Sequence, residues 1–193
     1  MSTMYLNPQL FQPELKYEPI RAGFGRGLVE AARHNKQVVA LCADLTESTK
    51  MDAFAKEFPE RFIEVGVAEQ NLVTVAAGMA AMGKIPFTSS YAAFSPGRNW
   101  EQIRTTIALN DVNVKIVGSH AGVSVGPDGA THQMLEDIAL MRSLPNMQVI
   151  IPCDSVQAQK VTELLAKSAK PAYLRLAREA TPVVTTADTP FTF

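Results

Sequence analysis

From Ile20 onward the chain alternates between two hydrophobic periods. Runs of strand length, nearly continuous in apolar residues, occur at Gln37 to Ala43, Arg61 to Val65, Ile85 to Tyr91, Asn113 to Ser119, Met147 to Pro152 and Ala172 to Ala177. Between them lie segments of helical spacing or buried composition: Ala22 to His34, Lys50 to Glu57, Ala68 to Met82, Arg98 to Leu109, Met134 to Arg142 and Ser155 to Ser168. Strands that are apolar along their whole length are covered on both faces. The pattern therefore predicts an α/β fold, a doubly wound, mainly parallel six-stranded sheet with helices on both faces. In such open sheets ligands bind at the carboxyl ends of the strands. Those ends are Asp44, Gly66 to Glu69, Ser89 to Phe94, Gly118 to His120 and Arg178. Residues 1–19, with Pro8, Pro13 and Pro19, read as an N-terminal arm, residues 20–180 as the folded domain, and residues 181–193 as a tail or truncated linker.

Composition narrows the function classes. The chain has 193 residues, 47% hydrophobic and 19% charged, enough for one well-buried domain. A net charge of −1 without extended basic runs argues against a nucleic-acid stripe or a polybasic membrane patch. No apolar stretch approaches the roughly 18 uncharged residues of a spanning helix, so a soluble, cytoplasmic protein is expected. Cys42 and Cys153 each follow an apolar run, in no metal-ligand spacing and with no signal peptide, and both are expected as buried, reduced thiols.

Three segments carry candidate chemistry. Gly66 to Asn71, GVAEQN, puts Glu69 in the first turn of an Ala- and Gly-rich helix. There it is either a functional carboxylate or an acid complementing the macrodipole. TSSYAAF ends the third strand with Tyr91 and Phe94, which form an apolar wall or belong to the core. SHAGVSVGPDGATHQ is a glycine-rich loop holding His120, Asp128 and His132, too polar and too long for simple punctuation between strand and helix. Its PDGATH portion also reads as a turn with a helix N-cap at Thr131. No zinc spacing accompanies the histidines, which favours hydrogen bonding to a polar ligand over metal binding. Arg21 and Arg178 lie near element ends, as solvated charges or as bidentate phosphate ligands.

Together ADLTES, GVAEQN, TSSYAAF, SHAGVSVGPDGATHQ, IIPCD and YLRLAR, in this order and spacing, resemble the pyrimidine-binding domain of transketolase over Arg21 to Arg178. The resemblance implies a thiamine-diphosphate-dependent enzyme of the pentose phosphate pathway that moves a two-carbon ketol unit between sugar phosphates. It makes Glu69 and His132 catalytic, with Glu69 bonding a ring nitrogen of the cofactor's aminopyrimidine and favouring its imino tautomer. Glu69, Tyr91, Phe94 and Asp44 become cofactor contacts, Phe94 stacking on the pyrimidine and Asp44 reaching across from an adjoining subunit. Arg21, Ser48, His120, Asp128, His132 and Arg178 become sugar and phosphate ligands. A further aromatic is expected three residues after Phe94, where this chain has Gly97.

The family's diphosphate-binding domain uses a Gly-Asp-Gly motif to hold Mg²⁺ or Ca²⁺, and this sequence has none. The resemblance therefore implies one subunit of a split transketolase, or a fragment of one, with no metal site of its own. Its partner would be a separate chain bearing the metal and diphosphate site, and homodimeric contact would run through pyrimidine domains. A deoxyxylulose-phosphate synthase subunit is the alternative enzyme. Ser119-His120-Ala121-Gly122 stands against it, because that synthase typically carries Asp-Arg-Ala-Gly there. A non-catalytic regulatory relative is the alternative of a different class.

Overall fold

The computed structural model describes residues 5–192. Residues 1–4 of the expected arm and Phe193 of the expected tail lie outside the described residues. In chain order the elements are β1 (Tyr17–Pro19), α1 (Ile20–His34), β2 (Val38–Cys42), α2 (Asp52–Glu57), β3 (Phe62–Glu64), α3 (Glu69–Ala81), β4 (Ile85–Tyr91), α4 (Trp100–Gln102) and β5 (Lys115–Ser119). They continue as α5 (Asp137–Arg142), β6 (Gln148–Ile150), α6 (Ser155–Leu165), β7 (Ala172–Arg175) and β8 (Ala180–Pro182). The main sheet has the order β3-β2-β4-β5-β7-β6, and every pairing in it is parallel. The six expected strands are the six observed.

Alternation along β2 divides the core. Val38, Ala40 and Cys42 join Phe24, Leu28, Phe54, Val161 and Leu165 on the face covered by α1, α2 and α6. Val39 and Leu41 join Leu72, Val73, Ala76, Ile107 and Met141 on the face covered by α3, the helical stretch after α4, and α5. From β2 the chain goes outward to β3 and then returns across β2 to β4, so the winding reverses between β2 and β4. In open parallel sheets the carboxyl ends of strands flanking such a reversal are where ligands bind.

Three local readings are corrected, the last being the expected burial of Cys153. The segment Arg98 to Leu109 is not one α-helix: after the short α4, residues Ile103–Ala108 take π-helical spacing. The Thr105 and Thr106 hydroxyls donate to the Glu101 and Gln102 carbonyls, and Asn110 Nδ2 donates to the Thr105 and Thr106 carbonyls, which competes with the regular ladder. Thr131 caps no helix, because α5 starts only at Asp137 and residues Gly126–His132 form 3₁₀ turns. Of the two cysteines, Cys42 is buried and Cys153 is exposed. Cys153 lies beyond the end of β6, where its backbone N–H donates to Gln157 Oε1 in the turn entering α6.

β1 and β8 form a separate antiparallel ladder with Tyr17 opposite Pro182 and Pro19 opposite Ala180. The expected domain limits at 19 and 180 fall inside this ladder. Asp154, the N-cap of α6, fastens the segment that follows: its carboxylate accepts from the Gln157 N–H (2.8 Å), the Val184 N–H (2.9 Å), the Thr185 N–H (2.6 Å) and the Thr185 hydroxyl (2.8 Å).

α1 and α6 approach closely because Gly23 has no side chain. A Cβ there would sit 1.8 Å from the Ser155 carbonyl oxygen, a backbone atom that cannot swing away. Gly23→Ala should therefore destabilise the fold by about 1–3 kcal/mol, as overpacked cores do. Urea unfolding checks this, with a lowered midpoint and an unchanged m value expected.

Candidate active site

Glu69 opens α3 and is 1% exposed. Its Oε2 accepts a 2.7 Å hydrogen bond from Arg98 Nη1, and its Oε1 accepts a 3.4 Å contact from the Ser90 hydroxyl of β4. The backbone carbonyl of Glu69 accepts from Asn99 Nδ2 at 2.8 Å, and the same amide donates to Ser95 Oγ at 3.2 Å. The loop after β4 is thereby tied to the first turn of α3.

The aromatic wall continues from β4. Tyr91 and Phe94 are stacked at 6.3 Å between centroids, Tyr91 stacks on His120 at 3.9 Å, and Phe94 meets His132 edge-on at 5.1 Å. The Arg98 guanidinium lies over the Phe94 ring, 4.9 Å from its centroid. The aromatic expected at residue 97 has no room: a Cβ on Gly97 would lie 2.1 Å from the Ala93 carbonyl oxygen.

His120 follows β5 in a left-handed conformation, φ 55°, which turns it back under Tyr91. It is 3% exposed, and Ser119 Oγ lies 2.9 Å from its Nδ1. Arg21, in the first turn of α1, donates to the Arg178 carbonyl, and its Nε is buried with no partner among the described residues. Burial and the Arg178 charge lower the Arg21 pKa. Burial first, and then Arg21 and Arg178, push the His120 pKa down to about 3, so this imidazole is neutral at pH 7. The glycine-rich loop closes on itself through the paired Gly122 and Met134 backbone bonds (2.7 and 3.1 Å) and lays Gly126, φ 75°, against the Arg178 guanidinium.

Arg21, Glu69, Tyr91, Phe94, His120, His132 and Arg178 are thus linked through contacts at one end of the sheet. Three other sequence candidates stand apart from that contact network. Asp128 is exposed on the 3₁₀ turns, Ser48 is half-buried in the loop after β2 with no side-chain hydrogen bond among the described residues, and Asp44 is exposed at φ 57°. Asp44 is nevertheless coupled to the start of α3. Glu64 Oε1 accepts from the N–H groups of both Asp44 (2.7 Å) and Gly66 (2.9 Å), clamping two strand-end loops together. Arg98, Ser90, Asn99 and Glu64 are site residues that sequence reasoning missed. For Arg98 the available signal was its place directly after the Ser-Pro-Gly turn. Among the described residues no group of three or more His, Cys, Asp or Glu is placed to hold a metal ion, and no helix is long and apolar enough to cross a membrane.

A doubly wound parallel sheet with a buried carboxylate, an aromatic wall and paired arginines at its carboxyl edge is an α/β domain whose polar groups gather where such sheets bind ligands. Residues 18–184 match the family described as the transketolase pyrimidine binding domain, and the chain belongs to that family. A Methanocaldococcus jannaschii protein described as a transketolase C-terminal section is 49% identical over 168 residues, covering 87% of this chain and 53% of that protein. One of the subunits of an apulose-4-phosphate transketolase from Phocaeicola vulgatus is 42% identical over 164 residues, covering 85% of this chain and 53% of that protein. A solved split-gene transketolase, described as an inactive beta4 tetramer, superimposes with a TM-score of 0.81 at 46% identity, covering 90% of this chain and 55% of that one. The chain spans about half the length of the curated relatives it matches.

The depressed His120 pKa sets a pH dependence. The unfolded chain takes up a proton at this residue below its ordinary 6.5, whereas the folded chain does so only near pH 3. Its contribution to stability is therefore complete above about pH 6.5 and is lost progressively as the pH falls toward 3. His120→Gln should flatten the acid limb of a stability-versus-pH curve across that window, and imidazole NMR of the parent should show no titration of this ring near pH 6.5.

Proposed function

We propose that this chain is the pyrimidine-domain subunit of a split, thiamine-diphosphate-dependent transketolase that transfers a two-carbon ketol unit between sugar phosphates. The observation that carries this reading is the buried Glu69 carboxylate at the start of α3, joined through the Arg98 guanidinium to the Phe94 ring. An aminopyrimidine offers the matching features, a flat ring and nitrogens that exchange a proton with a carboxyl group. Oε1, with only the 3.4 Å Ser90 contact, has hydrogen-bonding capacity to spare. Thiamine diphosphate supplies, when bound, a nucleophilic carbon that takes up the ketol unit.

This chain's residues divide the remaining work. Glu69 offers its carboxylate to a ring nitrogen at the pyrimidine side, and Phe94 and Tyr91 exclude water from it. The neutral His120, together with His132 and Asp128, is suited to hydroxyl groups of a sugar, His132 adding proton transfer. Arg21, Arg178 and Ser48 suit its phosphate, which fits the buried, unpartnered Arg21 Nε. Phe94 and His132 are half-buried, Asp128 is exposed, and the Arg98 side chain is 47% exposed, so the cluster faces outward. That supports closure by a second chain bearing the Mg²⁺ and diphosphate site, with Asp44 contacting the cofactor and further contact between pyrimidine domains. A cytoplasmic setting in sugar-phosphate metabolism follows from this reading.

Reconstitution with a chain carrying the diphosphate-binding domain is the test. The subunit alone should take up thiamine diphosphate and Mg²⁺ weakly or not at all by calorimetry, and the pair should bind it and transfer ketol units. In the pair, Glu69→Gln should slow exchange of the thiazolium proton, followed by NMR, by about 10²–10⁴-fold, the range of general acid–base contributions. Arg178→Ala should leave that exchange intact and weaken sugar-phosphate binding by about one to two decades, the value of a charge-assisted hydrogen bond. Parent-like exchange in Glu69→Gln, or tight cofactor uptake by the single chain, would overturn the assignment.

A further inference from the structure

The Arg98 guanidinium engages the two features that the proposed function gives to the aminopyrimidine. It donates to the Glu69 carboxylate at 2.7 Å and covers the Phe94 ring at 4.9 Å. A guanidinium is flat, cationic and rich in N–H donors, so it satisfies the same carboxylate and ring face as a protonated aminopyrimidine would. We infer that Arg98 is a built-in occupant of the pyrimidine subsite, compensating the buried carboxylate in the empty chain and leaving when the cofactor ring arrives. The inference rests on the function proposed above.

Two details of the loop favour a movable side chain on a fixed backbone. The Asn99 amide bonds to the Glu69 carbonyl and to Ser95 Oγ, and Asn99 and Ser95 are both fully buried, so the loop stays attached to α3. Arg98 itself is 47% exposed while Glu69 is 1% exposed, leaving the arginine an open path to solvent and the carboxylate none. Displacement costs part of the cofactor's binding free energy, because only the fraction of subunits with Arg98 swung out can bind. If about a tenth of the population is open, the apparent affinity is lowered about tenfold.

The test measures thiamine diphosphate binding, with Mg²⁺, by calorimetry on the reconstituted complex. Arg98→Met, which keeps bulk and removes the donors, should tighten binding about tenfold. Arg98→Lys, which keeps the charge without the flat fork, should fall between Met and the parent. In a Glu69→Gln background the carboxylate that retains the guanidinium is gone, so adding Arg98→Met should change affinity by less than about twofold. That dependence on Glu69 would not arise if Arg98 merely supported the loop. Weaker or unchanged binding in Arg98→Met would overturn the inference, as would a gain that persists in the Glu69→Gln background. A parent complex that takes up no cofactor would overturn the proposed function and this inference with it, and is distinguishable because every variant would then be silent.

Discussion

Taking a carboxylate out of water costs several kcal/mol unless nearby charges and donors compensate it. Glu69 is compensated from three sides: the Arg98 guanidinium, the Ser90 hydroxyl, and the dipole at the start of α3. Each belongs to a different stretch of chain. Ser90 is fixed by the β4 ladder, Arg98 by the turn leaving β4, and the start of α3 by the turn leaving β3. The three meet only because β3, β2 and β4 run parallel and end on the same side of the sheet. Slipping β4 by one residue would carry Ser90 to the opposite face and leave the carboxylate short of a donor.

The other end of the cluster solves the opposite problem, an excess of positive charge. Arg21 and Arg178 lie close enough for Arg178 to lower the Arg21 pKa, and both act on His120. Keeping His120 neutral avoids a third cation in the group. It also leaves a ring that Tyr91 can stack on and a nitrogen able to accept a hydrogen bond. The Arg21 Nε, buried without a partner, is a standing cost that an anionic ligand would remove. The aromatic wall between these two regions separates a carboxylate-centred half from an arginine-centred half, the division expected where a cofactor ring and an anionic substrate meet.

All six strands were legible in the sequence because parallel strands covered on both faces are largely apolar, with Thr88 to Ser90 of β4 and Lys115 of β5 as buried exceptions, and the carboxyl ends of the six strands lie on one edge. The β1–β8 ladder was not legible. It pairs residues more than 160 positions apart through three-residue strands, one of which contains Pro19 and the other Pro182, and local periodicity carries no trace of such a pairing. Likewise the π-helical stretch keeps helical hydrophobic spacing at Ile103 and Ile107, and its loosening arises from threonine hydroxyls that composition alone would place on a helix surface. Glu69, Tyr91, Phe94, His120, Arg21 and Arg178 could be nominated because each ends or follows a strand or begins a helix, and His132 because it sits in the long glycine-rich loop. Their partners Asn99 and Glu64 could not, since a buried asparagine and a bridging glutamate look like any surface residue until the loops around them are closed, and Arg98 was marked only by its place after the Ser-Pro-Gly turn.

Gly97 joins the sequence-level anomaly to the chemistry. At that position the family resemblance calls for an aromatic residue, and the absence of a side chain reads at first as a hole in the wall. The backbone gives another account: the chain turns so tightly after Phe94 that Gly97 N–H donates to the Ala92 carbonyl and Arg98 N–H to the Phe94 carbonyl. Even a methyl group at Gly97 would collide with Ala93. That turn brings the next residue, Arg98, back over Phe94 and onto Glu69. An aromatic at residue 97 and Arg98 in its observed place are therefore mutually exclusive in this backbone. The wall exchanges a ring that could only stack for a cation that both stacks and neutralises the buried carboxylate.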